Sequence, residues 1–369
     1  MKKNIYQVVL SLTFMVACSI PSAFSQQPPY LTKIEAIIDS IAEAEDLPAL
    51  SVGIIFHEEE PIYINRGYFD RSEKKEVNEH SRYQIASLSK MFAGIVAHQL
   101  VIDGKISLSQ PITDFFPVSL SDKTKKKFEG VTFQKLLHHR ADLPRNARVG
   151  YKRRDGDPYL YKYTEEDMLQ ELTQLKRKGK GEFRYSNFGY SLLGYLLEQV
   201  TGQPYEVLLQ TYVFAPFGMQ ETTYTLPTGN PELVTPYRKD DREVKTEGWY
   251  MGKLSPATTI CSSSHDLLKL MKAQIHAYRQ LGKGENVSKL VLTEHTEEAW
   301  TGIGEYGFGL FKWTSGDFGH GGDVDGFASD YSFHPAENFG VTILTSSGGK
   351  WVSNLIISTN DILREAHAQ

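Results

Sequence analysis

The sequence predicts a protein of the α/β (α+β) class, in which an α/β lobe is split by an inserted helical lobe. Three observations predict it. Two apolar runs, residues 50–56 and 62–68, lie near the start. A long block from residue 87 to 255 then follows mostly the helical period. From residue 306 the strand period returns, before a last helical pattern at 351–365. The α/β lobe is therefore expected over about 30–86 and 256–369, and the helical lobe over about 87–255.

Residues 31–45 form the first helical pattern, with Ile34, Ile37, Ile38 and Ile41 among its apolar positions. The two runs that follow flank His57-Glu58-Glu59-Glu60-Pro61 and read as a hairpin. His57 and its glutamates lack the second histidine of a zinc helix, so this is a turn rather than a metal site. A short extended segment ends at Ala86, and an apolar helix begins at or just after Ser87. Leu88, Met91, Phe92, Ile95, Val96 and Leu100 recur at steps of three and four, which predicts one buried face, and Asp103-Gly104 is the stop signal. Thr132 is positioned to cap a short helix running into His138 and His139. Adjacent residues on a helix project about 100° apart, so this pair suits packing or capping better than chelation. Helices are expected at 187–201, closed by Gly202, and at 205–214. Residues 222–255, holding Trp249 and Tyr250, are weakly periodic and read as a cleft-shaping loop. Ser263 or Ser264 caps the next helix. Strands are expected at 307–313, 318–320, 327–333 and 339–344, joined by Gly- and Asn-containing turns.

The chain has 369 residues, 40% hydrophobic and 23% charged, enough for a large core or two lobes. Residues 1–25 stand apart as a secretory leader: Lys2 and Lys3, an apolar run from 5 to 17, then a small-residue site ending at Ser25. Export across the inner membrane to the periplasm is the expectation. The alternative is a lipoprotein anchored at Cys18, within Met15-Val16-Ala17-Cys18. Cys18 and Cys261 are the two cysteines, which gives no disulfide framework. Net charge is −5, and −7 once Lys2 and Lys3 leave with the leader, which disfavours nucleic acid as a partner. Basic clusters at 123–127, 152–154 and 176–180 read as solvated loops.

Ser-x-x-Lys occurs three times, at Ser72–Lys75, Ser87–Lys90 and Ser347–Lys350. Only Ser87–Lys90 opens an amphipathic helix, which puts hydroxyl and amine on one side of its first turn. Burial would disfavour the ammonium form and leave a neutral amine able to take the serine proton. Tyr-x-Asn occurs at Tyr63–Asn65, inside a strand, and at Tyr185–Asn187, in a loop at a helix start. From such a loop a phenol can relay a proton and an amide can hold a substrate. Gly302-Ile303-Gly304-Glu305-Tyr306-Gly307 has dinucleotide spacing without the strand–helix context, so it is rejected as a cofactor loop. Neither a nucleophile elbow, a zinc motif nor a P-loop is present, and no cofactor or metal is expected. Last comes Phe318-Gly319-His320-Gly321-Gly322-Asp323, a strand poor in side chains whose backbone can meet a ligand.

In combination these elements resemble the serine β-lactamase and penicillin-binding superfamily. The likeness is nearest to the branch holding class C β-lactamases, D-Ala-D-Ala carboxypeptidases, D-aminopeptidases and related esterases. Leu136-Leu-His-His-Arg-Ala-Asp-Leu-Pro144, Phe183-Arg-Tyr-Ser-Asn-Phe-Gly-Tyr-Ser-Leu-Leu-Gly194 and Pro216-Phe-Gly-Met219 add to it, and it spans nearly all of residues 30–365. The resemblance implies an antiparallel sheet flanked by N- and C-terminal helices, with the helical lobe inserted. It implies that Ser87 is acylated, Lys90 is the base, and Tyr185 shuttles protons to the leaving group and serves the deacylating water. It implies substrate contacts from Asn187, His320, Gly321 and Gly322, and an oxyanion hole from the N–H groups of Ser87 and Asp323.

The departures concern specificity. His320 stands where the family carries lysine; with an ordinary pKa near 6.5 it would be about a quarter protonated at pH 7, which weakens carboxylate recognition. Arg140, Ala141 and Asp142 also depart from the family segment. Arg140 could supply the missing positive charge or pair with Asp142. The expected function is a serine hydrolase acting on an amide or ester of a small molecule or peptide: a peptidoglycan-type peptide, a D-amino-acid peptide or a small ester. A genuine β-lactamase and a non-catalytic binding protein on the same fold are the alternatives, and no oligomeric state is assigned.

Overall fold

The computed structural model describes residues 27–149, 163–177, 179–226, 229–281, 297–300 and 304–369. The expected leader, the Cys18 anchor site and the basic cluster at 152–154 lie outside them. Helix α1 (Pro29–Ala44) opens the chain, followed by strands β1 (Ala49–Phe56), β2 (Ile62–Gly67) and β3 (Tyr83–Gln84). Helices α2 (Ser89–Ile102), α3 (Asp122–Lys126), α4 (Phe133–Leu137), α5 (Glu165–Gln174), α6 (Asn187–Thr201) and α7 (Tyr205–Leu209) come next. The chain closes with β4 (Cys261–Ser262), α8 (Ser264–Leu281), β5 (Glu297–Trp300), β6 (Gly304–Gly307), β7 (Leu310–Trp313), β8 (Phe318–Val324), β9 (Phe327–His334), β10 (Phe339–Thr345) and α9 (Trp351–His367).

Eight strands form one sheet in the order β2-β1-β10-β9-β8-β7-β6-β5, antiparallel throughout. The first and last long strands therefore pair side by side, second and third from one edge, where Val52 faces Ile343 across β1 and β10. Every residue of β1 is buried, because both faces of the sheet are covered. Ile34 and Ile38 of α1 pack with Leu355, Ile356 and Leu363 of α9 on one face. Helices α2 and α8 share the larger core on the other. Gly53 and Gly340 let α8 approach: a Cβ would sit 2.9 Å from Leu268 Cδ1 at the first and 2.3 Å from Met271 Sδ at the second.

Several expectations are corrected. The expected strand at 307–313 is two strands, β6 and β7, joined through Phe308 and Gly309, both at positive φ. That turn rests on α2, since Cβ positions at Gly94 and Gly309 fall within 2.0 Å of Phe308 O and 2.4 Å of Lys90 C. Rather than one buried face, α2 is buried nearly all round, including Lys90 and His98. The segment expected as a helix at 205–214 becomes a π-turn after Leu209. His139 has left the helix of His138 and sits at φ 57°. Lys123 to Lys126 belong to α3, not to a loop. Thr132 caps α4 through its Oγ1, and Ser263 accepts the Asp266 N–H at the head of α8. Cys261 is buried in β4, and burial pushes its thiol up to about 12, so it is chemically inert. No helix among the described residues is long and apolar enough to cross a membrane.

Candidate active site

Ser87 sits in a tight turn, Ala86–Leu88, between β3 and α2, so the α-helix proper begins two residues after it. The turn is pinned from both sides. Ile85 N–H donates to Ile260 O (2.8 Å), and Ser329 Oγ of β9 donates to Ile85 O (2.8 Å). Gly322 of β8 lies flat against it, where a Cβ would be 2.3 Å from Ile85 O. Ala86 is held at φ 50°, a left-handed conformation unusual for alanine, directly before the half-exposed serine. Of the other Ser-x-x-Lys serines, Ser72 bonds Asp70 and Ser347 bonds Arg238 O; neither meets its lysine.

Lys90 points back from the first turn of α2. Its Nζ lies 3.0 Å from Ser87 Oγ and donates to Ala257 O at 2.9 Å. The ammonium form is disfavoured first by complete burial and then by the nearby Arg145 guanidinium, which together hold the pKa well below the ordinary lysine value. A neutral amine in contact with a serine hydroxyl can accept its proton.

Tyr185 closes the other side. Its ring lies 5.0 Å from Lys90 Nζ, and its hydroxyl lies 3.3 Å from His320 Nε2. Burial raises the phenol to about 12, with smaller opposing effects from Ser87 and Arg145, so it is protonated at neutral pH. The loop bearing Tyr185 is fixed from below by His139, whose Nδ1 accepts the Ser186 N–H (3.1 Å) while its ring packs 4.5 Å from that of Tyr185. Burial, then the proximity of Lys90, keeps His139 neutral.

His320 is 4% exposed, and its Nδ1 is 2.5 Å from Gly321 O. Desolvation, with Lys90 as the lesser cause, lowers its pKa to about 3. The sequence-based expectation of partial protonation at pH 7 is thus overturned: no cation stands at position 320. Past Gly319, β8 pairs with β9 alone, leaving residues 320–324 with one edge facing the cleft. That cleft, about 350 Å³, is lined by Ser87, Tyr185, His320, Gly321, Gly322 and Asp323, among others. The Asp323 side chain is exposed and paired with Lys239.

Asn187 is not among the residues lining this cleft. It borders a smaller neighbouring pocket with Trp249 and Ala257, and its Nδ2 donates to Asn146 Oδ1 at 2.8 Å. Arg140 donates to Gly181 O, and Asp142 pairs with Arg184. Sequence reasoning missed two charged residues that line the cleft, Arg145 and Asp330. Arg145 follows the Leu136–Pro144 segment directly, with its guanidinium 5.1 Å from the Tyr185 ring centroid. Among the described residues one group has metal-like spacing, His80, Glu221 and His265. The Glu221 carboxylate already bridges the two histidines, at 2.8 and 3.0 Å.

A serine–lysine–tyrosine cluster at the junction of an antiparallel sheet and a helical layer defines a β-lactamase-like protein. A family model described as Beta-lactamase matches residues 34–356, and the chain belongs to that family. It is similar to Protein flp of Staphylococcus aureus (strain MW2), 24% identical over 340 residues, covering 89% of this chain. The chain spans 65% of the length of that curated relative. It is also 25% identical over 256 residues to a Beta-lactamase of Pseudomonas fluorescens, covering 66% of each chain. In structure it resembles a class C beta lactamase from Rhodobacter sphaeroides, with a TM-score of 0.72 over 91% of this chain and 99% of that one at 19% identity. The octameric penicillin-binding protein homologue from Pyrococcus abyssi gives a TM-score of 0.74 over 91% and 77%, at 23% identity. At these identities the structural likeness is one of fold.

Proposed function

We propose that the protein is a serine hydrolase that forms an acyl-enzyme on Ser87 and cleaves an amide or ester: a peptidoglycan-type peptide, a D-amino-acid peptide or a small ester. The observation that carries this reading is the buried Lys90 amine 3.0 Å from Ser87 Oγ. Lys90 takes the proton as Oγ attacks the substrate carbonyl, and the N–H groups of Ser87 and Asp323 receive the developing oxyanion. One such donor contributes on the order of 3 kcal/mol to the barrier. The C–N or C–O bond then breaks as Tyr185 gives its proton to the leaving group and is reprotonated by Lys90. A water molecule reverses the sequence, with the Tyr185–Lys90 pair accepting its proton, and frees the acid and Ser87. The pattern of residues 1–25 supports export to the periplasm as the setting.

A fluorophosphonate probe tests the nucleophile: the expected result is a single adduct on Ser87, absent in Ser87→Ala. A panel of p-nitrophenyl esters, D-amino acid anilides, D-Ala-D-Ala peptides and a chromogenic cephalosporin tests the substrate class. Efficient cephalosporin turnover abolished by Ser87→Ala would replace the peptidase or esterase reading with that of a β-lactamase. An unlabelled Ser87 would favour a binding protein.

A further inference from the structure

The Ser87 cleft does not end at β8. It shares Phe311, His320, Gly321, Asp330 and Ser353 with a second cavity of about 530 Å³, enclosed between β7–β9 and helix α9. The missing side chain of Gly321 leaves room there. Gly321 stands directly opposite Asp330 on β9, and so shares the face turned toward α9. At Gly321 a Cβ would meet nothing closer than Asp330 Oδ2, at 3.6 Å.

Charge in this cavity is one-sided. Arg364 is committed at the far end, with Asp317 at 2.8 and 3.0 Å and Asp361 at 3.1 Å. Asp330, where the two cavities meet, has one backbone donor, the Tyr331 N–H at 2.9 Å, and no cation pairs with it among the described residues. Desolvation raises its carboxyl to about 7. A half-buried carboxyl left this under-paired is a site that a cation would complete. His320 beside it is neutral and cannot serve.

We propose that the cavity under α9 is a substrate subsite continuous with the acylation cleft, and that Asp330 at its neck binds a primary ammonium group of the substrate. The inference rests on the assignment of Ser87 as nucleophile and names a substrate class for it: amine-bearing amides or esters rather than carboxylate-bearing ones.

The test compares p-nitroanilides of D-alanine and 6-aminohexanoate with their N-acetylated counterparts, and with p-nitrophenyl acetate as a small uncharged substrate. The expected result is a preference for the free amine of about ten-fold or more in kcat/KM, collapsing toward one in Asp330→Asn. A merely structural role for Asp330 would lower both members of a pair together and leave their ratio unchanged. Ile357→Trp, on the exposed rim of α9, is expected to narrow the cavity and lower kcat/KM for the 6-aminohexanoyl substrate relative to acetate. A wild-type ratio near one, or a ratio that Asp330→Asn does not move, overturns the subsite while leaving acetate turnover intact. Should acetate turnover and Ser87 labelling both fail, the hydrolase reading falls instead. Calorimetry on Ser87→Ala with 6-aminohexanoyl p-nitroanilide then decides the subsite alone: binding weakened about ten-fold by Asp330→Asn supports it, and equal binding overturns it.

Discussion

The hydroxyl of Tyr185 donates to Nε2 of His320 across 3.3 Å. The direction follows from the other ring nitrogen: Gly321 O can only accept, so Nδ1 carries the proton and Nε2 offers its lone pair. His320 thereby holds the phenol in place without itself being charged. In the proposed mechanism Tyr185 moves a proton between Lys90 and the leaving group. Tyr185→Phe, which keeps the ring packing on His139, is expected to lower kcat by about 10²- to 10⁴-fold, the usual range for a lost general acid–base. Single-turnover kinetics check it, and a loss of less than ten-fold would remove Tyr185 from the proton path.

Replacing His320 by lysine probes why this position matters. At a pKa of about 3, His320 is neutral throughout the working range, so the native profile should show no limb near pH 6.5 from this residue. His320→Lys brings a cation to the β8 edge and is expected to raise kcat/KM for carboxylate-bearing substrates relative to neutral esters. An unchanged ratio, with the fold intact by circular dichroism, would mean that position 320 does not sort substrates by charge.

Arg145 and Lys90 are coupled, and the sign of that coupling is testable. The guanidinium disfavours the ammonium form of Lys90, so removing it should let the Lys90 pKa rise. In the proposed mechanism catalysis needs the neutral amine, and activity is lost as pH falls through that pKa. In Arg145→Ala the acid limb of kcat/KM should therefore move to higher pH, measured with an uncharged ester so that substrate binding to Arg145 plays no part. A limb that stays in place, or moves to lower pH, would assign it to another group.

How far the site was legible follows from what each residue needs from its neighbours. Ser87 and Lys90 were readable because their relation is local, three residues on one turn. Tyr185 and His320 required the motif set as a whole, since no periodicity joins a loop to a late strand. Arg145 carried no such sign; its place over Tyr185 depends on how the segment after α4 folds back. Asp330 is one of several polar residues on β9, and its meaning depends on Gly321 opposite it across the sheet. The protonation of His320 was misjudged for the same reason: pKa reflects burial, which one residue in a sequence does not display. In the fold, apolar runs bounded by turn residues located β1, β2, β9 and β10 well, but one such run crossed the turn between β6 and β7.

That turn carries the last prediction. Gly309 has φ 88°, and a Cβ there would fall 2.4 Å from the carbonyl carbon of Lys90. Gly309→Ala combines left-handed strain of about 1–2 kcal/mol with overpacking of about 1–3 kcal/mol, a loss on the order of 2–5 kcal/mol. Because the strained contact is the backbone of Lys90, the damage should not remain one of stability. Relieving it moves the first turn of α2 away from the β6–β7 turn, and with it the amine that sits 3.0 Å from Ser87. Fluorophosphonate labelling of Ser87 should therefore slow even under conditions where denaturant titration finds the variant fully folded. Labelling at the native rate in a folded Gly309→Ala protein would show that the turn supports the sheet and not the nucleophile.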